Sequence, residues 1–205
     1  MSKNPIIVFE GIEGSGKSFH IRNIAKYLKK NKIKYIQIRE PGGNQNSEKI
    51  RKLILNKKSN FNKNTDLLLY LAARSENIEK IIKKNNKKKI ILIDRFTDST
   101  IGYQHYGMGI NLKLIKMINN YILNGIQVNF TFLNTVNLNN LKLRLKKRKN
   151  LNRYDKFKMI FYNKVQSGLK NIASKNKNKY LVIDSNKNIK FNKEIILNKV
   201  KEIIK

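Results

Sequence analysis

The chain has 205 residues, 40% of them hydrophobic and none of them cysteine, which suits one domain with a substantial core and excludes disulfides and thiolate metal sites. The formal charge is +32, yet only eight of the 45 basic residues are arginine, and lysine mixes with asparagine throughout, as in "KKNNKKK" at 83–89. That spread reads as composition rather than as a patterned face, so no specific nucleic-acid partner is expected; each scarce arginine gains interest instead, because a guanidinium forks onto oxyanions as an ammonium cannot.

In chain order, "PIIVFE" (5–10) is a short apolar run that predicts a buried strand. It enters "GIEGSGKS" (11–18), which fits G-x-x-x-x-G-K-[ST]. Residues 17–30 predict a helix, with Phe19, Ile21, Ile24, Ala25 and Leu28 at helical spacing. "YIQI" (35–38) is a second strand, "REPGG" (39–43) a turn, and helices follow at about 46–56 and 65–84. "KIILID" (89–94) is a third strand; 97–106 and 111–124 are helical, split by the glycines of "YGMGI". "VNFTFL" (128–133) is a fourth strand, and a helix at 137–147 meets the basic segment "KKRKNLNR" (146–153). A long helix at 154–174, the strand "YLVID" (180–184) and a helix at 191–204 complete the order. The opening apolar run is too short for a signal peptide and no run reaches transmembrane length, so a cytoplasmic protein without a membrane partner is expected.

Strands alternating with helices predict an α/β fold: a five-stranded parallel sheet covered by helices on both faces, in one domain over 1–205, with a short lid at about 146–155. Its entry through a glycine loop makes it a P-loop NTPase fold. Ligands in such sheets bind beyond the carboxyl ends of the strands, where Glu10, Arg39, Asp94, Asn134 and Asp184 fall.

In the glycine loop, Gly11, Gly14 and Gly16 let the backbone turn its N–H groups toward phosphates, and Ile12, Glu13 and Ser15 complete a cradle for a nucleoside triphosphate. Lys17 would reach the β- and γ-phosphates and Ser18 would hold Mg²⁺. Asp94 ends an apolar strand, the place for the acid behind Mg²⁺; the other reading is a helix N-cap. Arg95 beside it, with Arg39 on the same rim, suits a second phosphate; alternatively Arg39 pairs with Glu40. A triphosphate cradle opposite a monophosphate clamp is the logic of a nucleoside monophosphate kinase. Its nucleophile is already anionic, so positioning and charge neutralisation matter more than a general base. The two histidines fit that picture, His20 as a structural residue.

At "GIEGSGKS", "REPGG", "YLAAR" (70–74), the "DRF…S…YQ" block (94–104) and "NRYD" (152–155) the sequence resembles the thymidylate kinases, in their bacterial type, from the first strand to near the C-terminus. The resemblance implies ATP-Mg²⁺-dependent conversion of dTMP to dTDP, and a homodimer. It implies that Arg39 and Arg95 hold the dTMP phosphate, Tyr70 stacks on thymine and Arg74 bonds a base carbonyl. Periodicity alone would instead pack Tyr70 in a core and leave Arg74 in solvent. It further implies base-edge contacts at Ser99 and Thr100, and Tyr103 and Gln104 beside the deoxyribose, with the tyrosine ring disfavouring a 2′-hydroxyl. Arg144 matches an adenine contact. The loop carries no arginine of its own, so the lid arginines Arg148 and Arg153 join Lys17 and Arg95 as the catalytic cations, while Glu13 faces the acceptor side or stays in solvent. Met108, Asn134 and Asn152 depart from residues usual in the family, and Asp155 stands for the usual glutamate. Two other readings remain: a different monophosphate or deoxynucleoside kinase, for which Glu10 could serve as base, and a basic nucleic-acid-binding ATPase.

Overall fold

The computed structural model describes residues 4–148 and 152–205; of the expected lid, Lys149, Asn150 and Leu151 lie outside the described residues. Five strands, β1 (Ile6–Glu10), β2 (Tyr35–Arg39), β3 (Ile90–Asp94), β4 (Phe130–Thr135) and β5 (Tyr180–Asp184), form a parallel sheet in the order β2-β3-β1-β4-β5. The first strand is therefore central and buried along its whole length. Its side chains alternate between layers. Ile7 and Phe9 pack with Ile21, Ile24 and Leu28 of α1 (Lys17–Lys30), while Ile6 and Val8 pack with Ile78 and Ile82 on the other face. This two-sided burial is why the strand reads as an unbroken apolar run.

The connections are helical: α2 (Gln45–Leu55), α3 (Lys63–Asn77), α4 (Lys83–Asn85), α5 (Thr97–Thr100), α6 (Leu112–Leu123), α7 (Leu138–Lys146), α8 (Met159–Ser174) and α9 (Ile189–Ile204). Several expected boundaries shift. The helix expected at 65–84 starts earlier, because the Asn62 side chain caps it by accepting from the N–H groups of Asn64 and Thr65, and it passes through a π-helical stretch, Ile78–Ile82. The helix expected over 97–106 is a single α-turn continued as a π-helix, Ile101–Gly107. Strand β4 runs to Thr135, so Asn134 lies inside it, fully buried. The helix expected over 154–174 divides into a 3₁₀ turn, Arg153–Lys156, and α8, because Phe157 and Lys158 are extended. Among the described residues no helix is long and apolar enough to cross a membrane.

Parallel pairing aligns the functional strand ends. Arg39 and Phe9 both stand level with Asp94 in neighbouring strands, and Glu10 with Leu133. The β1 loop thus emerges where the connections diverge to opposite sides, the crevice in which such sheets bind ligands. Gly11 makes its turn possible: φ is +138°, and a Cβ there would lie 2.2 Å from the Asn134 carbonyl oxygen.

Candidate active site

The glycine loop passes directly into α1, whose N-cap Gly16 is left-handed. Gly11, Ile12, Glu13, Gly14 and Ser15 form the turn, and Lys17 folds back over it. Its ammonium donates to the carbonyls of Gly11 (2.8 Å) and Ile12 (3.0 Å). Burial, and then the neighbouring Arg95, pull the Lys17 ammonium down to about 8. Two anionic phosphates beside it would favour the charged form. Ser18 Oγ donates to Asp94 Oδ2 at 3.1 Å. A hydroxyl and a carboxylate oxygen side by side suit a hard divalent cation such as Mg²⁺. Among the described residues no cluster of three or more His, Asp or Glu could hold a metal.

Asp94 is not a helix cap; Glu10 has that role. Its buried carboxylate accepts the N–H groups of Phe96 (2.7 Å) and Ser99 (3.1 Å) at the start of α5 and also the Ser99 hydroxyl. Both oxygens are committed, which counts against Glu10 as a general base. Between Asp94 and the capped helix, Arg95 takes a left-handed backbone, φ 66°. That conformation is uncommon for a side chain of this size and recurs at functional sites. It turns the guanidinium back over the glycine loop, where Nη2 donates to Glu13 at 3.1 Å and the carbon lies 5.2 Å from the Tyr103 ring centre.

Glu13 is therefore not a solvent carboxylate: its side chain is 13% exposed and also accepts the Tyr103 hydroxyl. Burial alone would raise its carboxyl, but Arg95, the Tyr103 hydroxyl and Lys17 outweigh burial and hold it below the usual value. Burial works against the Arg95 charge, yet Tyr103, Glu13 and Asp94 more than compensate and hold its pKa above the ordinary range.

A cleft of 210 Å³ opens in front of this group. Tyr70, Arg74, Ser99, Thr100, Tyr103 and Gln104 line it, all six expected from the sequence. Arg74 is 1% exposed and donates to Glu40 at 2.8 Å and to Asn119 of α6 at 2.6 Å. Among the described residues, Thr100 Oγ1 and Gln104 Nε2 are buried without a hydrogen-bond partner. Two orphaned polar atoms on one wall call for an explanation.

Arg39 is not brought to the cleft. It is more than half exposed and pairs with Glu48 of α2 at 3.3 Å rather than with Glu40, which belongs to Arg74. Arg51, one turn beyond Glu48, lines the cleft instead and donates to the Pro41 carbonyl at 2.6 Å. Sequence reasoning missed Arg51 and Glu40. The scarcity of arginine was the available signal for the first, and the position of Glu40 inside "REPGG" for the second.

The lid arginines separate. Arg148 reaches the cleft and pairs with Asp155, whose side chain is fully buried. Asp155 also accepts the Asn152 N–H at 2.8 Å and closes a capping box with Asn152. Arg153 lies outside the cleft, paired with Asp66 of α3 and set against the Phe61 and Tyr154 rings. Tyr154, unforeseen, stands in the cleft wall. Arg144 borders a second cavity behind the loop, together with Gly16 and His20, and donates to the carbonyls of Gly14 (2.8 Å) and Ser185 (2.7 Å). His20 is buried, and burial pushes its pKa down to about 4, so it is neutral near pH 7.

Comparison with known proteins gives a consistent result. The family model described as Thymidylate kinase matches residues 9–196. A protein named thymidylate kinase from Kosmotoga olearia is 34% identical over 87% of this chain and 86% of its own length. One of the same name from Thermosipho africanus is 38% identical over 89% of this chain and 90% of its own. The crystal structure of thymidylate kinase from Ehrlichia chaffeensis superposes with a TM-score of 0.78 at 32% identity, covering 98% of this chain and 99% of that one.

Proposed function

The chain belongs to the thymidylate kinase family, and we propose that it transfers the γ-phosphoryl group of ATP to the phosphate of dTMP, giving dTDP and ADP in the cytoplasm. The observation that carries this reading is Arg95. A half-buried guanidinium stands between a triphosphate cradle and a nucleoside-sized cleft, held there by a carboxylate from the cradle itself.

In the reaction an oxygen of the acceptor monophosphate bonds to the γ-phosphorus while the bond to the β–γ bridging oxygen breaks. The nucleophile is already ionised, so no protein base is required. Lys17 leaves the loop carbonyls for the β- and γ-phosphates. Mg²⁺, held by Ser18 with Asp94 behind it, would supply charge neutralisation on those phosphates. Arg95 and Arg51 hold the acceptor phosphate, joined by Arg39 once it leaves Glu48. Arg148 faces the transferred group. Tyr70 and Arg74 receive the base, and the unpartnered Thr100 and Gln104 atoms meet its polar edge. Tyr103, tied to Glu13, packs where a 2′-hydroxyl would sit. Arg144 uses both nitrogen ends on carbonyls, which leaves its flat face free for adenine.

Turnover with ATP-Mg²⁺ should be fastest with dTMP, slower with dUMP and TMP, and absent with dGMP and thymidine. No turnover of dTMP together with turnover of another acceptor would refute the assignment. A deoxynucleoside kinase would leave Arg95 without a substrate phosphate. Nothing in the cleft calls for a polynucleotide.

We further propose that two copies pair through α3 and α6. Leu114, Met117 and Tyr121 recur at helical spacing on α6 and are exposed, with Leu68 exposed on α3. Sedimentation at micromolar concentration should give twice the 24.1 kDa chain mass, and Met117→Glu with Tyr121→Glu should give single chains. A monomeric wild type would end this part of the proposal.

A further inference from the structure

Asp66 is 2% exposed in the first part of α3, one turn before Tyr70 and two before Arg74. One carboxylate oxygen accepts Arg153 and the other accepts the Tyr154 hydroxyl. Both donors come from the 3₁₀ turn Arg153–Lys156, 87 and 88 residues away in the chain. The cleft chemistry described above does not use this carboxylate. Its contacts nevertheless run into the cleft from two directions.

The first is through Tyr154, which is 2% exposed. Its ring meets the edges of Tyr70 and Tyr103 at centroid distances of 6.1 and 5.9 Å, and its carbonyl accepts the Tyr162 hydroxyl at 2.5 Å. The second is through Asp155, the next residue in the same turn. Asp155 is held by Asn152 and itself holds Arg148 at the cleft. Among the described residues Asp155 is what holds this long side chain, which is 39% exposed. Its position therefore follows from the position of the turn. The turn is fastened to the nucleoside-binding helix by two charge-assisted bonds to one buried carboxylate, the stronger kind of hydrogen bond.

We infer that Asp66 is a positioning residue for the phosphoryl transfer: by fastening the 153–156 turn to α3, it ties the placement of Arg148 to the helix that carries Tyr70 and Arg74. The arrangement makes one rigid piece of the base platform and the cation over the transferred group. Misplacing a catalytic group by about 1 Å can cost a hundredfold in rate, so the link matters although Asp66 touches neither substrate.

The inference rests on the kinase reading, and two measurements separate the two. Asp66→Ala should lower kcat with dTMP by up to about a hundredfold, with both KM values within about threefold. In an Arg148→Ala background the same change should cost nothing further, because both act on one group. A merely structural residue would multiply its loss onto that of Arg148→Ala. Independently of turnover, hydrogen exchange in peptides covering 152–158 should be about tenfold faster or more in Asp66→Ala. Asp66→Asn keeps the shape and loses the charge; it carries both tests should Asp66→Ala unfold. Unchanged exchange, unchanged kcat or multiplicative losses would each overturn the inference. A wild type inactive on dTMP would refute the kinase assignment and leave exchange to decide the anchoring.

Discussion

Arg148→Ala is expected to lower kcat for dTMP phosphorylation by about a thousandfold, the scale of an arginine that neutralises charge in phosphoryl transfer, with KM for dTMP within about threefold. The glycine loop has no arginine between Gly11 and Lys17, and the proposed reaction uses Lys17 and Arg95 on the donor and acceptor phosphates. Arg148 is the remaining guanidinium that reaches the cleft from the lid side. Among the described residues its ion-pair partner is Asp155. An interaction made in the transition state and not in the ground state lowers kcat and kcat/KM together. Single-turnover rates at saturating ATP and dTMP measure this directly. A rise in KM at unchanged kcat would place Arg148 in ground-state binding instead. Arg153→Ala should also reduce kcat more than it raises KM, but by a smaller factor, since Arg153 points away to Asp66 and would act through the turn.

Much of this site was legible because its residues are adjacent in the chain to strand ends. The loop after β1, Asp94 at the end of β3 with Arg95 next to it, and the Tyr103–Gln104 pair in the helical segment that follows are local to elements with clear apolar signatures. What was hidden depends on partners distant in sequence. Glu13 looks like a misplaced acid until β3 returns beside β1 and brings Arg95 to it. Arg74 looks like a solvated helix residue until Glu40 and Asn119 close on it from two other elements. The difference between Arg39 and Arg51 lies in which of them Glu48 captures, a competition between arginines on a strand end and on the following helix that no strand-end rule resolves. Residues 154–156 are compatible with the helix expected over 154–174, yet they belong to a 3₁₀ turn set by Tyr154, Asn152 and Asp155 acting together.

Arg95→Ala should remove activity and stability together, and the two losses can be separated. Arg95 and Glu13 are 17% and 13% exposed and 3.1 Å apart. Breaking a fully buried pair from one side costs about 3–5 kcal/mol, because the other charge stays buried without its partner; this pair keeps some exposure, so about 3 kcal/mol is the upper end here. In the wild type the folded-state pKa of Glu13 lies below its ordinary value of 4.5. That stabilisation is present above the unfolded value and is lost as pH falls through the folded one. Without Arg95, the largest of the influences that oppose burial is gone, so the Glu13 carboxyl moves up from its wild-type position and the stability it contributes above its unfolded value shrinks. The stability gap between wild type and variant should therefore be widest near pH 7 and should narrow toward pH 4.5 in denaturant titrations. Glu13→Gln added to Arg95→Ala removes the stranded charge and should restore much of the stability at pH 7. It should not restore kcat/KM for dTMP, which falls by about a thousandfold or more because the acceptor phosphate has lost its guanidinium. Arg95→Lys keeps the charge without the fork and should fall between them. Recovery of activity in the double variant would show that Arg95 serves only to neutralise Glu13, whereas stability without activity assigns it to the acceptor phosphate.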